Sequence, residues 1–157
     1  ILLVLIVSFT GALEVIRLSR ISKNQFQLLT SEEIIMAEEL REKTKWNDIF
    51  LTYPAPNQFV MMWSPRPIVM GYQGWVYSFG FPFAKTDLDI QTMYAGGKAA
   101  ELLLQDYKVS YVVFDNYVRG QAASYFKNNL NEEYFKGRFP LAFSSPSIRI
   151  YDCRALL

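Results

Sequence analysis

The chain has 157 residues, of which 51% are apolar and 16% aromatic, and its 16 basic and 15 acidic residues give a formal net charge of +1. This length corresponds to one domain with a sizeable core, and the nearly balanced charge gives no reason to expect nucleic acid as a partner. Histidine is absent and Cys153 is the only cysteine, which excludes imidazole-based triads and an internal disulfide and argues against a metal site.

The first thirteen residues, ILLVLIVSFTGAL, are apolar apart from Ser8 and Thr10. They correspond to about 20 Å of helix, whereas a membrane span needs about twenty residues. Three interpretations are open: the end of a transmembrane helix that starts upstream, the core of a signal peptide, or a buried helix. We favour the first, assign residues 1–22 to it, and expect the chain to be part of a longer or processed protein because it begins with Ile1. Three basic residues follow, and the positive-inside rule alone would place this flank in the cytoplasm: Arg17, Arg20 and Lys23.

The segment after this flank begins with a helix. Thr30 and Glu33 have the spacing of a capping box, and Ile34, Ala37 and Leu40 recur at helical intervals. IFLTY at 49–53 is typical of a strand that ends at Pro54. NQFVMMWSP then predicts one or two helical turns, and PIVMG a second short strand.

The second half of the chain alternates helices and strands. TDLDIQTMYAGGKAAELLLQDY predicts a helix interrupted near Gly96 and Gly97, and VSYVVFD at 109–115 is typical of a central strand covered on both faces. QAASYFKNNL predicts a shorter helix, and FPLAFSSPSIRIYD an antiparallel hairpin. The order predicts an α/β fold: a small layered domain at 30–157 with a mostly parallel sheet and a C-terminal antiparallel hairpin, preceded by a truncated transmembrane helix.

The sequence offers few residues with the pattern of a chemical site. No G-x-G-x-x-G or G-K-[ST] fingerprint follows a strand, so a nucleotide cofactor is not expected. Asp87 and Asp89 lie at a helix start, where carboxylates stabilise the helix. Asp115 ends the strongest strand, at the sheet edge where α/β proteins bind ligands, although a turn-forming role of Asp115 is the simpler alternative. Cys153 is interpreted as a small strand residue rather than a nucleophile.

The stretch MGYQGWVYSFGFPF at 70–83 is dense in aromatic residues. Aromatic faces bind the C–H faces of sugars, and tryptophan and tyrosine also settle at membrane interfaces. Three roles are open: packing under a long crossover, contact with a membrane interface, and contact with a ligand. The residues that we select for substrate or membrane contact are Tyr72, Gln73, Trp75, Tyr77 and Asp115.

Three parts of the chain carry a family resemblance: AEELREKT before IFLTY, then RPIVMGYQGWVYSFG, and then DIQTMYAGGKAAELLLQDYKVSYVVFD. Together they resemble the C-terminal soluble domain of polytopic membrane proteins related to the GT-C glycosyltransferases. Similar sequences carry a helix of the W-I-R-E-N-T-P type, a G-R step and L-L-R-K-Y-G-V-D-Y-V-V-V-G. The positions that match the last of these are Leu102, Leu103, Tyr107, Val109, Tyr111, Val112 and Val113.

The chain also departs from that pattern. Pro65 rather than glycine precedes Arg66, and the aromatic stretch of similar sequences reads Gly-Trp-Leu-Trp-Ser-His-Gly. Tyr77 and Phe79 stand at the second tryptophan and at the histidine, so any role of that histidine is lost here.

The resemblance implies an integral membrane glycosyltransferase that uses a polyprenyl-phosphate-linked sugar, with its catalytic residues upstream of this chain. It implies that this chain carries no catalytic residue, metal or cofactor. It also implies that the partners are membrane lipid and the lipid-linked sugar. It also places residues 30–157 outside the cytoplasm, against the positive-inside indication, and we follow the resemblance. The alternatives are a non-catalytic accessory or binding domain of a membrane complex and a soluble α/β enzyme with a processed leader.

Overall fold

The structure is a computed structural model that describes residues 2–19 and 27–157. Its first helix, α1 (Leu2–Leu18), is apolar, and its side chains from Ser8 onwards are exposed. Within these two ranges, no helix has both the length and the apolar character that crossing a membrane requires. The predicted segment at 1–22 therefore stays a prediction, and Arg20 and Lys23 lie outside the described residues.

The domain that follows contains seven further helices and four strands in the described ranges. In chain order they are α2 (Ser31–Lys43), β1 (Ile49–Leu51), α3 (Phe59–Met62), α4 (Gln73–Ser78), α5 (Ala84–Ala95), α6 (Gly97–Asp106), β2 (Val109–Phe114), α7 (Asn116–Gly120), α8 (Glu132–Arg138), β3 (Leu141–Ser144) and β4 (Arg149–Asp152). A 3₁₀ turn at Arg154–Leu156 follows β4. The capping box predicted for α2 is present: the Thr30 hydroxyl accepts from the Glu33 N–H, and the Glu33 carboxylate accepts from the Thr30 N–H.

The four strands form one mixed sheet in the order β1-β2-β4-β3. β1 is parallel to β2, whereas β2 with β4 and β4 with β3 are antiparallel. The prediction of a mostly parallel sheet is therefore wrong. The physical reason is that β2 is buried along its whole length, as predicted, but burial on both faces does not fix the direction of the neighbouring strands. The predicted C-terminal hairpin is confirmed and supplies both antiparallel pairs.

Helices cover both faces of the sheet. On one face, Val112 and Phe114 of β2 pack in a cluster with Ile90, Met93 and Leu104 of α5 and α6. On the other face, a second cluster joins strands to α2 and α3: Tyr111, Val113, Phe50, Ile150, Leu40 and Phe59. The Tyr94 hydroxyl, fully buried, donates to the Val113 carbonyl at 2.7 Å and ties α5 to the sheet. The layered α/β prediction is correct at this level.

Two predicted elements differ from the structure. PIVMG forms only a single parallel bridge, in which Ile68 pairs with Phe50 through the bonds Phe50 N–H to Pro67 O and Val69 N–H to Phe50 O. The helix predicted over 121–130 is absent: α7 ends at Gly120, and turns follow in which Lys127 and Asn128 have positive φ angles. The next helix is instead α8, which was not predicted from the sequence.

One buried arginine closes the C-terminal end of α2. Arg66 is only 8% exposed, and its guanidinium donates four hydrogen bonds of 2.7 to 2.9 Å. The acceptors are the carbonyls of Arg41, Thr44 and Ser64 and the Thr44 hydroxyl, none of which is charged. The helix dipole, which is negative at this end, also favours the cation.

Candidate functional site

The aromatic stretch is a short helix with an exposed face and not an extended crossover. Gln73–Ser78 form α4. The chain leaves the helix at Gly80, which adopts a positive φ of +76°. Five aromatic side chains here are between 40% and 78% exposed, and we call them the aromatic surface: Tyr72, Trp75, Tyr77, Phe79 and Phe81. Surface rings occur singly in most domains, so five within ten residues indicate a contact surface.

A polar cluster behind α4 holds the helix in place. The Gln73 side-chain amide donates to one oxygen of Asp87 on α5, and the Tyr125 hydroxyl donates to the same oxygen at 2.5 Å. The Gln91 amide donates to the second oxygen at 3.1 Å. Burial, together with the hydrogen bond to Asp87, raises the pKa of the Tyr125 hydroxyl well above its usual range. Gln73 thus helps to position α4 through its side-chain amide, and its predicted contact role stays a prediction.

The rings of the aromatic surface are arranged partly by their own contacts. Tyr72 and Trp75 meet edge to face with their centroids 5.6 Å apart. This arrangement needs Gly74, because a Cβ at that position would lie 2.6 Å from the Tyr72 ring. Tyr77 meets Phe83 edge to face at 6.5 Å, and Phe83 packs against the core. Tyr77 is therefore linked to the core through the partly buried Phe83, whereas Tyr72 and Trp75 support each other.

A groove of about 710 Å³ lies beside this surface. It is lined by Tyr77 and by the segment from Gly80 to Thr86, and its lining is largely apolar. Lys85 at the groove pairs with Asp89 at 2.7 Å, and the Lys85 ammonium lies 5.8 Å from the centre of the Tyr107 ring. The groove suits an apolar chain or the flat face of a sugar better than a free anion, since Lys85, which lines it, is already paired with Asp89.

Asp115, the fifth predicted site residue, lies apart from the aromatic surface. It follows β2 and caps α7, where its Oδ1 accepts from the Val118 N–H at 2.8 Å. The turn-forming alternative for Asp115 is thus correct in part. The residue is 2% exposed, and its second oxygen, Oδ2, is buried without a hydrogen-bond partner in the described part of the chain. Burial raises the pKa of Asp115, against the lowering effect of the Val118 and Tyr117 N–H groups.

Asp87 and Glu33 were singled out in the sequence only as helix-start residues, and their long-range partners were not predicted. Asp87 and Tyr125 are 38 residues apart, and Glu33 is 82 positions before Asp115, so no local pattern links either pair. Cys153 is fully buried after β4, and burial raises the pKa of its thiol to about 12, in accordance with its interpretation as a packed residue. No group of three or more Asp, Glu, His or Cys side chains among the described residues is placed to hold a metal ion.

Comparison of the sequence with protein-family models and with curated proteins gives no match. Comparison with solved structures gives the C-terminal globular domain of an oligosaccharyltransferase from Archaeoglobus fulgidus, which is 11% identical in sequence. The TM-score is 0.54, and the superposition covers 79% of this chain and 97% of that chain. At this identity the likeness concerns the fold. It supports the predicted resemblance to the C-terminal globular domain of a membrane glycosyltransferase at that level.

Proposed function

We propose that this chain is the C-terminal extracytoplasmic domain of an integral membrane glycosyltransferase that uses a polyprenyl-phosphate-linked sugar donor. The observation that carries the proposal is the likeness of the fold to almost the whole C-terminal globular domain of an oligosaccharyltransferase. The catalytic residues belong to the transmembrane part upstream, and the domain needs no cofactor of its own. Its partners are membrane lipid and, through the transmembrane part, the lipid-linked sugar, and nucleic acid is not among them.

Two further features support a membrane setting. α1 is an apolar helix with exposed side chains, which is typical of the end of a transmembrane helix. The aromatic surface combines exposed tryptophan, tyrosine and phenylalanine, the residues that settle where a bilayer meets water. We place the domain on the extracytoplasmic side because of the resemblance to GT-C enzymes. We give this resemblance more weight than the positive-inside indication from the basic flank that includes Arg17.

The role that we assign to the aromatic surface is contact with the membrane interface or with the acceptor close to it. α4 is fixed from behind by Asp87, so its rings are presented in one orientation without a partner. Preorganisation of this kind reduces the entropy that is lost on binding. Trp75 and Tyr77 lie in the middle of the aromatic surface. Their replacement should weaken this contact more than replacement of the other rings.

A second candidate is a non-catalytic accessory domain of a membrane complex. The groove beside Tyr77 favours it, because an apolar groove next to exposed rings also suits a segment of a partner protein. The two candidates differ in whether the complete protein transfers sugar.

The test uses the complete protein in its native membrane, with transfer from a polyprenyl-phosphate sugar as the readout. Membranes that contain the protein should transfer sugar and membranes without it should not. Trp75→Ala and Tyr77→Ala should each reduce transfer at least tenfold while the melting temperature stays within a few degrees of that of the wild type.

The matched control is Trp46→Ala, because Trp46 is 80% exposed in the turn between α2 and β1 and away from α4. It should leave transfer unchanged. Absence of any transfer by the wild-type protein refutes the glycosyltransferase proposal and favours the accessory domain. Normal transfer in the Trp75 and Tyr77 variants, with a lower melting temperature, would show that the rings only pack.

A further inference from the structure

A small cavity of about 150 Å³ lies where the carboxyl end of β2 meets the first turn of α2. Its polar lining comes mainly from Asp115, Asn116 and Tyr117 after β2 and from Thr30, Glu32 and Glu33 at the start of α2, and Gln27 and Ser147 complete it. Three of these eight side chains are acidic, and among the described residues no lysine or arginine lines the cavity.

The buried carboxylate of Asp115 is the feature that requires an explanation. Its Oδ1 is satisfied by the Val118 N–H, but Oδ2 is buried and has no hydrogen-bond partner among the described residues. The charge of Arg119 acts on Asp115, yet the Arg119 guanidinium is held by the Glu132 carboxylate at 2.8 and 2.9 Å. Buried charges in proteins are almost always paired or ligated, because an unpaired one loses its hydration without compensation.

Glu33 adds a second acidic group to the same cavity. It is 9% exposed, and both hydrogen bonds that its carboxylate accepts from Thr30 use Oε2. Its negative charge is close enough to raise the pKa of Asp115. Glu32 is different, because its oxygens already accept three hydrogen bonds from Ser145 and Ser147 at the hairpin turn.

We propose that this cavity binds one small cation through oxygen atoms only, with the buried Asp115 carboxylate as the main ligand and Glu33 as the second. The proposal follows from two acidic groups that share one cavity, one of them with an oxygen that no described residue satisfies. A lining of oxygen atoms favours hard metal cations, which oxygen atoms coordinate, or ammonium groups, which donate hydrogen bonds to oxygen atoms.

The number of acidic ligands limits the kind of site. No cluster of three acidic side chains in the described part of the chain is placed to enclose a metal ion, so a metal bound here keeps part of its water shell. An ammonium group would instead donate its hydrogen bonds to Asp115, Glu33 and the neutral oxygens beside them. Both occupants share one chemistry, and the experiment separates them.

The test uses the whole 157-residue chain in detergent micelles, freed of metal with a chelator and melted at pH 7.5. Calcium chloride, sodium chloride and methylammonium chloride are added separately at constant ionic strength, with tetramethylammonium as the balancing cation because it has no N–H to donate. At a hundredfold excess over the dissociation constant, the occupant should raise the melting temperature by about 5 to 10 °C.

Asp115→Asn is the decisive variant, because asparagine keeps the acceptor for the Val118 N–H but removes the charge. It should fold and lose the cation-dependent rise, and Glu33→Gln should reduce that rise. Glu42→Gln, an exposed position on the same helix, is the matched control and should keep the full rise. A calcium or sodium response identifies a metal site, and a methylammonium response identifies an ammonium site.

Two results would overturn the proposal: no response of the wild-type protein to any of the three cations, or an equal response of Asp115→Asn. The first would mean that the Asp115 carboxyl is neutralised by a proton instead. The inference is independent of the proposed function, since the readout is cation-dependent stability and not sugar transfer.

Discussion

Replacement of Arg66 should markedly reduce the stability of the domain. Its guanidinium links the end of α2 to the segment after α3 through four hydrogen bonds. Arg66→Met keeps most of the apolar stem of the side chain and removes every one of these bonds. It leaves the carbonyls of Arg41, Thr44 and Ser64 without the donors that satisfy them in the wild-type protein.

The size of the effect follows from the geometry. A hydrogen bond that involves a charged group contributes about 1.5–3 kcal/mol, and bonds that share one guanidinium are not additive. We therefore expect the free energy of unfolding to fall by about 3–5 kcal/mol, comparable to breaking a buried ion pair. For a chain of this length the loss corresponds to a fall in melting temperature of about 10 °C.

The assay is thermal and urea unfolding followed by circular dichroism, with two comparison variants. Arg41→Met makes the same chemical change at an exposed position in the last turn of α2 and should cost no more than about 0.5 kcal/mol. Arg66→Lys keeps the charge but cannot reach acceptors on both sides, so its stability should lie between those of Arg66→Met and the wild type. If Arg66→Met unfolds within about 1 kcal/mol of Arg41→Met, the hydrogen bonds do not stabilise α2 as reasoned.

Three further predictions concern other parts of the domain. Gly96→Ala should lower the free energy of unfolding by about 2–4 kcal/mol, because φ +75°, ψ −175° suits only glycine and a Cβ would lie 2.6 Å from the Tyr134 ring. Glu32, whose pKa is lowered by its hydrogen bonds to the hairpin turn, stabilises the fold above its unfolded pKa, and this contribution is lost as the pH falls through the folded pKa. Acid should therefore destabilise the wild type more than Glu32→Gln between about pH 5 and pH 3. The Cys153 thiol, buried and with a pKa raised to about 12, should react with Ellman's reagent at pH 8 only at the rate of unfolding.

Two of these predictions have a control variant that isolates the cause, and the third has an outcome that would contradict it. Gly97 has a φ of +85°, and a Cβ at that position would have open space around it. Gly97→Ala should therefore lose stability through backbone strain alone, without a clash. Equal losses for both glycine variants would argue against the contact with Tyr134. Glu38→Gln, exposed on α2, should keep the acid sensitivity of the wild type, and a Glu32→Gln curve identical to that of the wild type would contradict the linkage argument. Rapid labelling of Cys153 in the folded protein would contradict its burial.

Local signals in the sequence predicted local structure well. The Thr30–Glu33 capping box sets the start of α2, because both of its hydrogen bonds join residues three apart. The hairpin of β3 and β4 and the break between α5 and α6 at Gly96 were predicted for the same reason, since turn geometry depends on nearby residues. The apolar run of β2 correctly indicated burial on both faces.

The predictions that were wrong concern features that depend on how distant parts of the chain meet or on signals that the local sequence does not carry. The direction of β4 beside β2 depends on how the chain returns after α8, which the composition of β2 does not record. The segment after α7 reads as helical by composition, but Lys127 and Asn128 adopt positive φ where the chain turns back. α4 was not predicted because its sequence lacks the periodic buried positions that indicate a helix. None of the six positions in Gln73–Ser78 is fully buried.

The candidate sites were predictable to different degrees. The density of rings in the aromatic surface was visible in the sequence, whereas the Asp87 contacts that position it join residues far apart in the chain. Asp115 was selected for its place at the end of a strand, but its unpaired oxygen and its neighbour Glu33 required three-dimensional structure.

The strand order has a consequence for how the protein is made. β4 is the last strand in chain order, yet it lies between β2 and β3 and provides hydrogen-bond partners for both. A nascent chain that has not yet released Arg149–Asp152 from the ribosome therefore has a β2 strand with one open edge and a β3 strand with no partner. The helices before β4 can form during synthesis, but the sheet closes only after those residues emerge. Chaperones that cover exposed strand edges would act in this interval, and a premature stop before β4 should yield an aggregating product rather than a smaller domain.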